Sequence, residues 1–238
     1  MFDPKELPLL YEDEALIVLN KPAGLTSEEG VPALLRTLWG KPEAYVGVVH
    51  RLDTGVSGLM VYAKTPAAAA ALGRQITQSQ QAYTQRDGGE SAGENPQFVK
   101  RYRAVIAGGP DEALAKEGVL RDYLFKDSRK GRVYPVSRPR KGVREAVLEY
   151  RIAATAPGPE ENTRFSLAEI TLHTGRTHQI RVQFASRKHP LWGDGKYGSR
   201  QKGSLALQSA GLAFRHPVSG KEMVFTLPAP AGLPWELF

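Results

Sequence analysis

The chain contains no cysteine among its 238 residues, which excludes a disulfide framework and any thiolate-ligated metal site. It also lacks a long hydrophobic run, since no stretch approaches the ~18 apolar residues of a membrane-spanning helix. The N-terminal MFDPKELPLLYEDEALIVLN mixes acids with apolar residues and has no basic region ahead of an apolar core, so it does not read as a secretory signal. These absences lead us to expect a cytoplasmic protein. No repeat of fixed period occurs, and strands do not alternate with long helices, which argues against a solenoid and against a doubly wound parallel sheet. Acid is the scarcer charge: 25 Asp and Glu face 32 Lys and Arg, giving a formal charge of +7 and a pI near 9.6. Such an excess points to a polyanionic partner.

A chain of this length buries roughly 70 to 75% of its unfolded surface. It suits one domain or two closely packed halves, and we expect a single domain over residues 1–238. Leu16 to Leu19 form a short apolar strand that Pro22 and Gly24 bring to a turn at Asn20-Lys21-Pro22-Ala23-Gly24. Pro32 to Leu38 and Pro66 to Gln78 read as helices, the second with Leu72 and Ile76 four residues apart on one face. Gln85 to Gln97 is almost without apolar residues and is expected to be an exposed, mobile loop. Phe98 to Ile106 alternates so that Lys100 and Tyr102 share one face of a strand, with Arg101 and Arg103 on the other. Further β-type runs follow at Val119 to Phe125, Arg132 to Val136, Ala146 to Ile152, Phe165 to Leu172, Leu205 to Phe214 and Met223 to Leu227. The expected class is α+β, a mixed and largely antiparallel sheet with flanking helices.

Two stretches carry more than structure requires. Val46 to Thr65 sets apolar runs, Val46 to Val49 and Leu59 to Ala63, around a polar turn holding His50, Arg51, Asp53, Thr54 and Gly55. Small and Asx residues suit such a turn, but a hairpin has no need of an arginine and a carboxylate two residues apart. In Leu172 to Pro190, Gly175 closes a strand and Thr177 is expected to cap a helix that begins at His178 and ends before Pro190. Ile180 and Phe184 would then face a core, while His178 and Arg181 sit near the positive helix start. Cations there need an anion, either phosphate or, for Arg181, a buried carboxylate. Further cations gather in the turn-rich segments Lys126 to Arg132, Arg138 to Arg144 and Arg200 to Lys202, a placement suited to phosphate.

His50-Arg51-Leu52-Asp53 with Ser57-Gly58-Leu59, and Lys21-Pro22-Ala23-Gly24 upstream, resembles the RluA-type family of RNA pseudouridine synthases. Lys100, Tyr102, Ala104 and Gly108 are similar to that family's tyrosine strand, and Thr174 to Arg181 with Gly193-Asp194 and Tyr197-Gly198 to its C-terminal motif. The resemblance implies the pseudouridine synthase fold and the isomerisation of specific uridines in a ribosomal or transfer RNA stem-loop, without metal or organic cofactor. Asp53 would be the nucleophile on a flipped-out uridine, Tyr102 would pack against the base and Arg181 would pair with Asp53. Arg51 would fill the space that the nucleotide vacates, and Lys21, Arg176 and His178 would join it in binding RNA. The sequence departs from the family where Val56 replaces a common threonine and Ser27-Glu28-Glu29 replaces an apolar and histidine run. The S4-type RNA-binding domain that often precedes such enzymes is not expected ahead of a first strand about a dozen residues into the chain. No obligate protein partner is implied.

The chemistry suits these roles. Rejoining a nucleobase through carbon needs a nucleophile that holds one fragment while the base turns, and a carboxylate does so reversibly. Unstacking the base costs a few kcal/mol, of which an aromatic platform returns ~1 to 3. Two other classes compete. Asp53-Thr54-Gly55 spells the aspartic-protease triplet, but two such carboxylates must share a proton, and with no second triplet in the chain that reading requires a homodimer and fits poorly with the basic charge. A non-catalytic RNA-binding module would keep the basic strands with no need of Asp53.

Overall fold

The computed structural model describes residues 3–84 and 97–238. The expected loop, Gln85 to Gln97, lies outside the described residues except for Gln97. The chain divides into two compact units, residues 1–100 with 209–227 and residues 101–208 with 228–238. The class is α+β, and every strand pair whose register is defined among the described residues is antiparallel.

In the first unit β1 (Leu9–Glu12) pairs with β2 (Leu16–Lys21), and β2 with β4 (Ser57–Ala63). The two-residue β3 (Gly47–Val48) also pairs with β4, so the expected hairpin forms with a wider turn than its apolar runs suggested. β10 (Leu207–Arg215), whose residues 209–215 belong here, lies beside β4, and β11 (Glu222–Thr226) pairs with it. Leu16, Val18, Leu59, Val61, Leu72, Phe98, Leu212 and Phe214 pack into one core, while the alternate residues Ile17, Leu19, Met60 and Tyr62 are equally buried. Burial on both faces explains why β2 and β4 read as continuous apolar runs. Strand β1, mostly exposed, gave no such signal and begins earlier than the first expected strand.

Helix α1 (Gly30–Trp39) is longer than expected at both ends. The Gly30 amide donates to Thr26 Oγ1 at its start, and Gly40, in the left-handed region at φ 61°, closes it. Helix α2 (Pro66–Thr84) begins where Thr65 Oγ1 accepts the Ala68 amide, with proline in the first helical position.

The second unit orders its strands β5-β9-β8-β6-β7. These are β5 (Phe98–Ala107, residues 101–107 here), β9 (Arg164–Leu172), β8 (Val143–Pro157), β6 (Glu117–Asp127) and β7 (Arg132–Val136). On β5 the expected alternation holds: Lys100 and Tyr102 are buried and Arg101 is exposed. Helix α3 (Gln179–Ala185) does bury Ile180 and Phe184, but its capping differs from the expectation. The N-cap is His178, in the left-handed region at φ 51° and with no side-chain cap bond, not Thr177. The Gln179 side chain organises this start instead, its Oε1 accepting from the Arg176 amide and the Thr174 hydroxyl.

Gly58 sits at the start of β4 with φ 124°, and a Cβ there would overlap the Ser209 backbone. Gly58→Ala therefore adds both backbone strain and a clash with main chain that cannot swing away. We expect a loss of at least about 2 kcal/mol in urea unfolding. A change under ~0.5 kcal/mol would show that β4 and β10 separate easily at this point.

Candidate active site

Asp53 lies half-buried in the turn between β3 and β4, and that turn is fastened from several sides. The buried Ser27 hydroxyl donates to the Leu52 carbonyl at 2.9 Å and accepts the Leu52 amide at 3.0 Å, so one side chain satisfies both polar groups of the residue before Asp53. The Gly24 amide donates to the Thr54 carbonyl at 2.7 Å, and the Val56 amide to the Asp53 carbonyl at 2.9 Å. Leu52 and Val56 are themselves buried, anchoring the turn on either side of the carboxylate. Val56 fills its position with apolar surface.

The structure does not leave Lys21 on a surface facing phosphate: it is fully buried at the end of β2. Its ammonium donates to the Pro22 carbonyl at 2.9 Å, to Leu25 at 2.8 Å and, more weakly, to Thr54 at 3.5 Å. Burial lowers its pKa from 10.5 to about 8, a shift the negative charge of Asp53 opposes. Lys21 is thus a cationic pin between the Pro22-to-Leu25 turn and the Asp53 turn. The apolar run Leu16 to Leu19, which Lys21 extends within the same strand, is the sequence signal that could have placed it inside.

His50 opens the same turn. Its Nε2 accepts the Val61 amide at 3.1 Å and its ring meets Phe98 edge-on at 5.7 Å. Burial, with the charge of Lys100, pushes its pKa down to about 3, so it stays neutral with its proton on Nδ1. Arg51 instead projects outward and pairs with Glu28 at 2.9 Å, both side chains more than half exposed. Glu28 belongs to the segment that departs from the family pattern. An exposed pair of this kind is worth about 0 to 1 kcal/mol, so Arg51 can exchange its partner at little cost.

In the second unit Tyr102 is 6% exposed on β5, in register with Ile170 of β9. Arg181 meets a carboxylate, as one of the two sequence alternatives required. Its Nε donates to Asp194 Oδ2 at 2.7 Å and its Nη2 to Oδ1 at 2.8 Å, and the Asp194 side chain is 1% exposed. The guanidinium also lies over the Tyr197 ring, 5.2 Å from its centre. The Tyr197 hydroxyl accepts the Val133 amide at 3.0 Å and shares a 2.8 Å hydrogen bond with His178 Nδ1. Arg176 donates from Nε to the Glu145 carbonyl at 2.8 Å; burial and then the charge of Arg144 lower its pKa, against the pull of Glu145.

The structure therefore gathers Lys21, Ser27, Arg51 and Asp53 in one unit, and Arg176, His178 and Arg181 with Asp194 and Tyr197 in the other. The roles of Ser27, Asp194, Tyr197 and Gln179 escaped the sequence reasoning. Asp194 and Tyr197 stood inside a quoted motif, but their spacing from Arg181 names no partner. No helix among the described residues is long and apolar enough to cross a membrane.

Two variants test the fastening of Asp53. Ser27→Ala leaves both polar groups of Leu52 without their partner, which costs about 1 to 3 kcal/mol in buried surroundings; we expect that loss in unfolding experiments, together with lower turnover. For Lys21, the folded chain releases its proton near pH 8 while the unfolded chain holds it to about 10.5. The unfolded state binds more protons between these values, so stability rises with pH across that window and the cost of burying the ammonium is fully present below it. Urea unfolding from pH 7 to 10 should show this rise in the parent and not in Lys21→Met. The same slope in both proteins would remove the assignment.

The chain matches known proteins along most of its length. The sequence profile of the family described as RNA pseudouridylate synthase covers residues 15–186, which include Asp53, Tyr102 and Arg181. The chain is 34% identical over 262 residues to ribosomal large subunit pseudouridine synthase D of Zymomonas mobilis subsp. mobilis, spanning 96% of this chain and 71% of that protein. It is 31% identical to the uncharacterized RNA pseudouridine synthase YhcT of Bacillus subtilis, spanning 96% and 70%. Among solved structures, human RNA pseudouridylate synthase domain containing 1 aligns with a TM-score of 0.73 at 19% identity, over 96% of this chain and 85% of that one. The human domain-containing 4 protein aligns at 0.69 and 22%, over 95% and 91%. At these identities the two structures establish the fold, and the sequence matches establish the kinship. With its fold and its sequence in agreement, the chain belongs to the RluA-type family of RNA pseudouridine synthases and is an isomerase of that class.

Proposed function

We propose that this enzyme isomerises specific uridines to pseudouridine in a structured ribosomal or transfer RNA, as a single catalytic domain working in the cytoplasm. Asp53 is the nucleophile, and the observation that carries this reading is its half-buried carboxylate on a turn fastened by Ser27, Gly24 and Lys21. A fixed turn keeps the attacking oxygen in place without an ordering cost at the moment of reaction. The naming of its relatives for the large ribosomal subunit favours ribosomal RNA as the substrate.

In the reaction the bond from uracil N1 to the ribose C1′ breaks and a bond from C5 to C1′ forms. The proton on C5 is lost and N1 gains one, so the product has the composition of the substrate. Asp53 holds one fragment covalently while the base turns, then leaves as a carboxylate. Tyr102 packs against the extruded base, and Arg181, oriented by Asp194, is the cation that pairs with the attacking carboxylate. Arg51 leaves Glu28 to occupy the space vacated by the nucleotide, and Arg176 and His178 contact the RNA backbone. Lys21 acts by supporting the turn.

Release of tritium from RNA labelled at uracil C5 measures the reaction directly. Asp53→Asn should abolish it while RNA affinity stays within about tenfold, ~1.4 kcal/mol, because phosphate and shape contacts persist. Turnover near that of the parent would overturn the assignment of Asp53.

A further inference from the structure

Within the second unit, positive charge is concentrated on one three-stranded ribbon. Between residues 126 and 144, spanning the end of β6, all of β7 and the start of β8, there are eight Lys or Arg and one acid, Asp127. Asp127 offsets only one of the eight, leaving a net charge of +7 (8 − 1) on this stretch, and its Oδ1 accepts the amides of Arg129 and Lys130, shaping the β6–β7 turn. Among the described residues none of the eight is in an ion pair, and seven are exposed; Arg132 is half-buried. The carboxylates of the adjoining stretches of β6 and β8 already have basic partners, Asp122 with Arg187 and Glu145 with Arg121.

Two of the cations are also held as oriented planes. The Arg132 guanidinium lies over the Tyr134 and Tyr197 rings, at 6.0 and 5.3 Å, and Arg140 lies over Phe125 at 5.2 Å. Stacking restricts rotamers before any ligand arrives, lowering the entropy lost on binding. Lys196 is tied to the same turn through the Gly131 carbonyl at 2.8 Å, and the charge of Arg144 is felt at Arg176. Like charges crowded without carboxylates repel one another, a cost that a polyanion removes on binding.

We propose that the β6–β7 ribbon, with the segment leading into β8, is a docking surface for the phosphate backbone of RNA, formed by residues other than those assigned to the uridine. This rests on the RNA-modifying reading given above and names the part of the chain that supplies backbone affinity. The surface reads no sequence, since stacked arginines and flexible lysines offer donors to phosphate oxygens.

The test replaces four exposed cations together, Arg129→Gln, Lys130→Gln, Arg138→Gln and Lys141→Gln, keeping the stacked Arg132 and Arg140. A control of equal charge carries Lys5→Gln, Lys41→Gln, Lys116→Gln and Lys221→Gln, all exposed positions. Affinity for a transcribed RNA hairpin is measured against salt, thermal melts confirm folding, and the parent is assayed for pseudouridine formation on unmodified large-subunit ribosomal RNA. Each phosphate that the protein no longer neutralises lowers the log-log slope by roughly 0.7 to 0.9, so the four-fold ribbon variant should fall by about 3 in slope and the control by under ~0.5. Equal slopes in the two variants, or an unchanged ribbon variant, would overturn the docking surface while leaving the parent's activity to stand on its own. A ribbon-dependent slope in a parent that forms no pseudouridine would instead sink the catalytic reading and retain the surface.

Discussion

The Ser27 hydroxyl, bonded to both the amide and the carbonyl of Leu52, is the contact on which the Asp53 turn depends. Turns ordinarily satisfy such groups with water, and their side chains sample several positions. Here two separated turns of the first unit satisfy each other: Ser27 holds Leu52, while the Gly24 amide and the Lys21 ammonium converge on the Thr54 carbonyl. The resulting turn is tied to its neighbour on both sides of Asp53, unlike an ordinary surface loop. Burying an ammonium to complete it is unfavourable, as the lowered pKa of Lys21 records, and carbonyl oxygens together with the charge of Asp53 partly offset that cost.

The second unit applies the same logic to a cation. Arg181 would be poorly placed at a helix start, where the backbone is electropositive. A bidentate bond to the buried Asp194 answers this, and the Tyr197 ring beneath the guanidinium fixes its plane. Tyr197 is in turn held by Val133 of β7 and by His178, so the arginine is oriented through a chain of contacts reaching the ribbon strands. Removing Asp194 would strand a buried charge, whereas Arg51, paired with Glu28 in the open, is under no such restraint. The contrast is between a charge held in place by a buried carboxylate and an exposed one that exchanges partners at little cost.

The amino-acid sequence by itself determined the class of fold, most strand positions and the kinship of the enzyme. Alternation on β5, the apolar runs of β2 and β4 and the Thr65-Pro66 start of α2 are local properties, fixed by side-chain period and backbone chemistry. The short, exposed β1 lacked that pattern, and helix α3 began one residue later than expected because Gln179 reaches back to Thr174 and Arg176, a contact that capping preferences do not encode. Only the tertiary structure decided what the charged groups do. Lys21 looks like a surface residue beside a proline, yet it is buried; Ser27 looks like a neutral replacement, yet it fastens the Asp53 turn; Asp194 gives no sign from its spacing that it clamps Arg181. Hydrogen bonds and burial join residues 13, 25 or 33 positions apart, and such pairings follow from how strands and turns pack, which no local pattern of residues records.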